Sequence, residues 1–153
     1  MSNPINYTRP EACRIVAQGH PTFDRSTEGD QSRLGGYRPE PFAGQLLYDA
    51  RDLIALDYQQ SLIAEGHKVK TAGALASRLR CAMRDYPEAS LLALVTMENG
   101  NRVSLPFENV DLFEGYNSGA MTRETLVIDV RNLRVRADRL IAEAAKIVGE
   151  ADA

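Results

Sequence analysis

The run SLLALVTME at residues 90–98, the dipeptide Asn99-Gly100 and the run NRVSLPF at residues 101–107 read as an antiparallel hairpin. Asn-Gly tolerates the positive φ angles of a type I′ turn, and the flanking runs are rich in strand-forming residues. A two-residue turn sets Thr96 opposite Val103, Leu94 opposite Leu105 and Leu92 opposite Phe107, giving one apolar face. The other face carries Met97 opposite Arg102 and Val95 opposite Ser104. Val110-Asp111-Leu112-Phe113 offers a third short strand before Gly115.

Upstream the apolar period changes from two to nearly four. Thr8-Arg9-Pro10-Glu11 has the layout of a capping box. Cys13, Val16 and Ala17 follow at helical spacing and Gly19 supplies a stop, so a first helix is expected over about 9–18. The stretch 20–41 shows neither period and exceeds the roughly 12–15 residues at which an internal loop is already unusual. It reads as a long loop. A second helix is expected from Pro41 to Glu65, with Leu46, Leu47, Ala50, Leu53, Ile54, Leu56, Leu62 and Ile63 covering more than half its circumference. Asp49, Asp52 and Asp57 lie on its drier part, with Arg51 nearby. Thr71 is placed to cap a third helix carrying Leu75, Leu79, Ala82, Met83 and Tyr86 on one stripe, ended by Pro87.

Downstream, Leu126, Val130, Leu133, Ala137, Leu140, Ala144 and Ile147 step alternately by four and three. This heptad seam is read as a continuous C-terminal helix over 123–149, roughly 40 Å long at 1.5 Å per residue, and as a homodimer interface flanked by Arg131, Arg134, Asp138 and Glu143. Two alternatives stay open. Thr125 to Val130 is rich in β-branched residues and suits a strand, with the helix starting near Arg131. The seam also suits packing on the chain's own core. The fold class expected is α+β in a single domain, 1–153: N-terminal helices, an antiparallel hairpin with two or three strands, and a long C-terminal helix.

The chain has 153 residues, 44% of them hydrophobic and 25% charged, with a formal net charge of -3. That is too apolar and too weakly charged for a disordered chain. No window approaches the roughly 18 apolar residues of a membrane span. The N-terminus lacks the basic-then-apolar layout of a signal peptide, so a cytoplasmic location is expected. Cys13 and Cys81 make no disulfide framework. Of the 18 basic residues only Lys68, Lys70 and Lys146 are lysine, a bias that a GC-rich genome also produces.

Catalytic motifs are absent. Only His20 and His67 are available, and their spacing to Cys13 and Cys81 fits no zinc site. Gly115-Tyr116-Asn117-Ser118-Gly119 puts its serine one place late for a nucleophile elbow. No glycine-rich loop precedes a Lys-Ser or Lys-Thr pair. Glu98, Glu108, Asp111 and Glu114 gather around the hairpin without the spacing of a calcium loop. His20 and Asp24 form the one pair available to a small enzyme, and a surface histidine is the ordinary reading of it. No enzyme activity, metal or cofactor is expected.

Charge is uneven along the chain. Lys68, Lys70, Arg78, Arg80 and Arg84 face only Asp85 and Glu88 within 67–90, while the segments on both sides are acidic. Patches of opposite sign suit docking on a macromolecular surface, and Lys68, Lys70, Arg78 and Arg84 are the candidate contacts. The stretch TAGALASRL at 71–79 is similar to the first helix of a winged helix-turn-helix, which makes a DNA-binding transcriptional regulator the alternative. The motif needs a separate recognition helix, however, and Tyr86-Pro87 leads straight into the strand. With so few cations, this argues against direct nucleic-acid binding.

A short acidic chain with no catalytic motif, patches of both signs and a dimer seam resembles the class of phage-encoded anti-defence proteins, of the anti-CRISPR type. The resemblance implies a non-enzymatic inhibitor that binds a protein or ribonucleoprotein complex of a bacterial host and blocks target DNA binding or nuclease recruitment. It spans the whole chain and rests on no motif, so it carries over no functional residue.

Overall fold

A computed structural model describes residues 6–21, 36–41, 43–110 and 121–151, with side chains placed as far as residue 146. The chain divides into two compact units, Met1–Arg80 with Leu133–Ala153, and Cys81–Asn132. The fold is α+β, as expected. Asp24, Asp111 to Phe113, Glu114 and the side chain of Ile147 lie outside the described residues, as does most of the 20–41 loop.

In the first unit two short strands each run into a helix. β1 (Tyr7–Thr8) pairs antiparallel with β2 (Leu47–Tyr48), Tyr7 against Tyr48 and Thr8 against Leu47. β1 feeds α1 (Arg9–Ala17), whose capping box forms as read: Glu11 N–H donates to Thr8 Oγ1 at 3.4 Å, and Thr8 N–H donates to Glu11 Oε1 at 3.3 Å.

β2 feeds α2 (Ala50–Ala64), which starts later than the expected Pro41. Ala43 and Gly44 both take positive φ, 51° and 79°, which a right-handed helix does not allow. The helix begins only at Asp49, through a second reciprocal box in which Asp52 N–H donates to Asp49 Oδ1 and Asp49 N–H to Asp52 Oδ2, both at 2.8 Å. α3 (Val69–Asp85) also corrects its expected start. Thr71 lies inside the first turn rather than capping it, and the Lys68 carbonyl accepts the first helical bond from Ala72 N–H at 2.9 Å. The core of this unit joins Ala12, Ile15 and Val16 of α1, Leu53 and Leu56 of α2, Ala76 of α3, and Leu140 and Ala144 of the C-terminal helix.

In the second unit β3 (Leu91–Met97) is the middle strand of an antiparallel sheet, between β4 (Arg102–Pro106) and β5 (Thr122–Asp129). It is buried from Leu92 to Met97, the pattern of a strand covered on both faces. The hairpin is present with its register shifted by one residue: Val95 pairs Val103, Ala93 pairs Leu105 and Leu92 pairs Pro106. The turn holds three residues, not two. Gly100 N–H donates to the Met97 carbonyl at 2.9 Å, Met97 N–H donates to the Asn101 carbonyl at 2.7 Å, and only Gly100 has positive φ (90°). This is a type I turn closed by a left-handed glycine. The slip exchanges the faces, so Ala93, Val95 and Met97 cluster with Leu105 and Val110.

The third strand comes from Thr122–Asp129, on the other side of β3, with Leu94 against Leu126 and Leu92 against Ile128. A continuous helix over 123–149 is therefore corrected. The helix is α4 (Val130–Ala151). Thr125, Val127 and Ile128 favour a strand, and Asp129 then caps the helix by accepting Asn132 N–H at 3.0 Å.

The heptad seam is corrected with it. Leu126 stands on a strand, Val130, Ala137, Leu140 and Ala144 are buried within the chain, and Leu133 is half-buried. Packing on the chain's own core, the open alternative, accounts for Leu140 and Ala144. Among the described residues no helix is long and apolar enough to cross a membrane.

Candidate functional site

α2 is buried along most of its length, and among its buried side chains are Asp52, Asp57 and Gln59. A carboxylate cannot stay inside an apolar stripe without partners. Each of the two aspartates has recruited an arginine, and each cluster lies wholly within the first unit.

Asp57, 1% exposed, takes three donors. Arg136 of α4 grips it with Nε on Oδ2 at 2.8 Å and Nη2 on Oδ1 at 3.1 Å, a bidentate fork. His20 Nε2 lies 2.7 Å from Oδ1. Arg136 Nη2 also donates to the Gly19 carbonyl at 3.2 Å, which ties the exit of α1 to α2 and α4. Burial pushes the Asp57 carboxyl up, but the hydrogen bonds from His20 and Arg136 outweigh it and hold the group below its ordinary range.

Asp52 sits in the second cluster. Tyr37 donates its hydroxyl to Asp52 Oδ1, and Arg80 Nε donates to the same oxygen at 3.0 Å. Arg80 Nη2 reaches Asp49 Oδ2 at 3.0 Å, so one guanidinium serves two carboxylates. Burial dominates here and raises Asp52, with the Asp49 charge adding to it, against the lowering effect of the Tyr37, Asp49 N–H and Arg80 hydrogen bonds. Burial and the Asp52 charge likewise raise the Tyr37 hydroxyl far above its normal value. Tyr37 N–H donates to Gln59 Oε1, which anchors the last part of the 20–41 stretch onto α2.

These contacts settle where the sequence candidates stand. His20 is a buried partner of Asp57 rather than a surface residue. Its suggested partner Asp24 lies outside the described residues. Lys68 and Lys70 are exposed at the entrance of α3, and neither has an ion pair with a described residue. Arg78 is half-buried on the same helix, and Arg84 is exposed with Nε 3.2 Å from Asp85 Oδ1. Arg80, grouped at first with the surface cations, is half-buried and held by Asp49 and Asp52. Cys13 is buried and Cys81 exposed, both as free thiols. Among the described residues no group of three His, Cys, Asp or Glu side chains is placed to hold a metal ion. The sequence reading missed Tyr37, Arg136 and Gln59. The available signal was the pair of aspartates on an apolar stripe, which demands donors without naming them.

Both clusters direct their donors at buried carboxylates of their own chain, so their chemistry is that of a clamp. Gly19 gives a direct test. A methyl group there would fall inside contact distance of Arg136 Nη2 and 3.1 Å from Leu140 Cδ2. Gly19→Ala is expected to push the guanidinium off Asp57 and cost about 2 kcal/mol, read as a lowered urea midpoint.

Compared with known proteins, the chain matches no family model, no curated protein and no solved structure.

Proposed function

We propose that this chain is a non-enzymatic binding protein. It inhibits a large protein or ribonucleoprotein assembly of a bacterial host by docking on an acidic surface of it. The observation that carries the reading is the placement of Lys68 and Lys70. They flank the start of α3, whose first turn holds no acidic residue. A helix N-terminus is already the positive end of the peptide dipoles, so each cation there costs the fold a few tenths of a kcal/mol. An anionic partner docking at this helix start would offset that cost, and neither lysine has an ion pair with a described residue to compete with it. Arg78 adds a half-buried cation further along the same helix, whereas Arg84 is paired with Asp85. The buried clusters support the non-enzymatic reading, because His20, Asp57, Asp52 and Tyr37 are already engaged with one another or with arginines.

The test separates binding from folding by opposite signs. Lys68→Glu/Lys70→Glu should raise the melting temperature slightly, since carboxylates suit a helix N-terminus. The same change should reduce capture of the partner from host lysate at least tenfold. The functional readout is relief of CRISPR interference in a host carrying an active effector, which the wild-type chain should produce and the double variant should lose. Undiminished capture by the variant would remove this surface from the proposal. A DNA mobility shift falling steeply with salt would favour the regulator reading instead.

A further inference from the structure

We infer that β5 is the interface through which two copies of this chain associate, edge to edge, as an antiparallel pair across a two-fold axis. The inference is independent of the cations on α3. Among the described residues β5 pairs with β3 alone, and the backbone groups on its far side have no strand partner among them. The strand contains no proline and no lysine, and Leu126 and Val127, pointing to opposite faces, are 40% and 42% exposed. Native edges are normally blunted by charge, proline or a bulge; in β5 the charges and the bulge stand at the ends, at Arg123, Glu124 and Asp129, and the stretch 125–128 between them carries none.

The hydrogen-bond parity shows which groups face outward. Val130 N–H donates to the Ser90 carbonyl at 2.9 Å, at the end of the β3–β5 ladder. Alternation then makes Leu92–Ile128, Leu94–Leu126 and Thr96–Glu124 the hydrogen-bonded pairs. The other side of β3 agrees, because Met97 N–H bonds the Asn101 carbonyl and so places the odd-numbered residues of β3 toward β4. Thr125 and Val127 therefore point their N–H and C=O groups away from β3, as does the N–H of Asp129.

A second copy must match odd residues to odd. Centring the axis on Leu126 does this: Thr125 faces the partner copy's Val127 and the reverse, which closes both outward-facing pairs. The same register sets Leu126 against its own symmetry mate. It also sets Arg123, whose Nη2 lies 3.3 Å from Glu124 Oε1, opposite Asp129, whose carboxylate accepts from Asn132, so that opposite charges face each other across the pair at both ends. Moving the axis by one residue in either direction keeps odd–odd matching but loses both charge pairs. Such self-complementarity is the mark of an isologous contact and has no counterpart in a foreign strand. The bulge where Thr96/Met97 meet Thr122/Glu124 leaves Arg123 as the extra residue, so the regular edge ends where the charge pair begins.

Sedimentation equilibrium with circular dichroism tests this. The wild-type chain should be a dimer. Val127→Pro removes an outward N–H and no bond to β3, so it should give a folded monomer. Arg123→Glu, on an exposed side chain, should weaken the dimer at least tenfold without altering the fold, and it decides the matter where the proline variant does not fold. A monomeric wild type, a dimer untouched by Arg123→Glu, or a dimer broken by Leu133→Glu but not at β5 would each overturn the inference.

Discussion

Asp57→Asn is expected to lower stability by about 3 kcal/mol at neutral pH, the largest loss of any single polar substitution in the chain. Asparagine keeps the shape but turns one oxygen into a donor, which then faces His20 or Arg136, both donors in this arrangement. It also removes the charge that compensates a guanidinium in partly buried surroundings. The pH dependence has a definite sign. The Asp57 carboxyl is held below its ordinary value of 3.8 in the folded chain, so the unfolded chain takes up the proton first on acidification. The stability that Asp57 contributes is complete above that ordinary value and is lost as pH falls through the lowered one. Urea denaturation of wild type and variant from pH 7 downward should therefore show a constant gap that closes only in strong acid. A gap that closed well above the ordinary value of 3.8 would show that the Asp57 carboxyl is not held below it in the folded chain.

The ease of reading these features from sequence followed their range. The Thr8–Glu11 box is local, three residues across, and formed as read. The hairpin was also legible, but its register was not. Asn-Gly serves two- and three-residue turns alike, and the difference lies in one backbone angle at Asn99 that no residue type dictates. At 122–130 two periods competed. Leu126, Ile128 and Val130 alternate as a strand, while Leu126, Val130 and Leu133 step as a helix. The deciding signal was Asp129 with Asn132 three places on, a helix start in the middle of the seam. The buried clusters were half legible. Asp52 and Asp57 on an apolar stripe announce a need for donors, but Arg80 lies 28 residues from Asp52 and Arg136 lies 79 from Asp57. Periodicity reports the face of a helix and is silent about what crosses to meet it.

Arg80→Met gives the opposite pH behaviour. The change retains most of the apolar stem but withdraws the one cation shared by Asp49 and Asp52, at an expected cost of about 2 kcal/mol at pH 7. Unlike Asp57, Asp52 already binds its proton more readily in the folded chain than in the unfolded one. A raised carboxyl disfavours folding above its folded value, and that penalty shrinks as pH falls toward the ordinary 3.8. Without Arg80 the Asp52 carboxyl should rise further, so the variant should regain stability on mild acidification while Asp57→Asn does not. Tyr37→Phe added to Arg80→Met should cost less than the same change in wild type, because a protonated Asp52 no longer needs the phenol as a donor. Parallel pH profiles for Asp57→Asn and Arg80→Met would refute this division. Divergent ones would show that α2 is held by one ionic clamp at Asp57 and one proton-sharing clamp at Asp52, because Asp57 has a bidentate guanidinium to itself while Asp52 shares Arg80 with a second carboxylate.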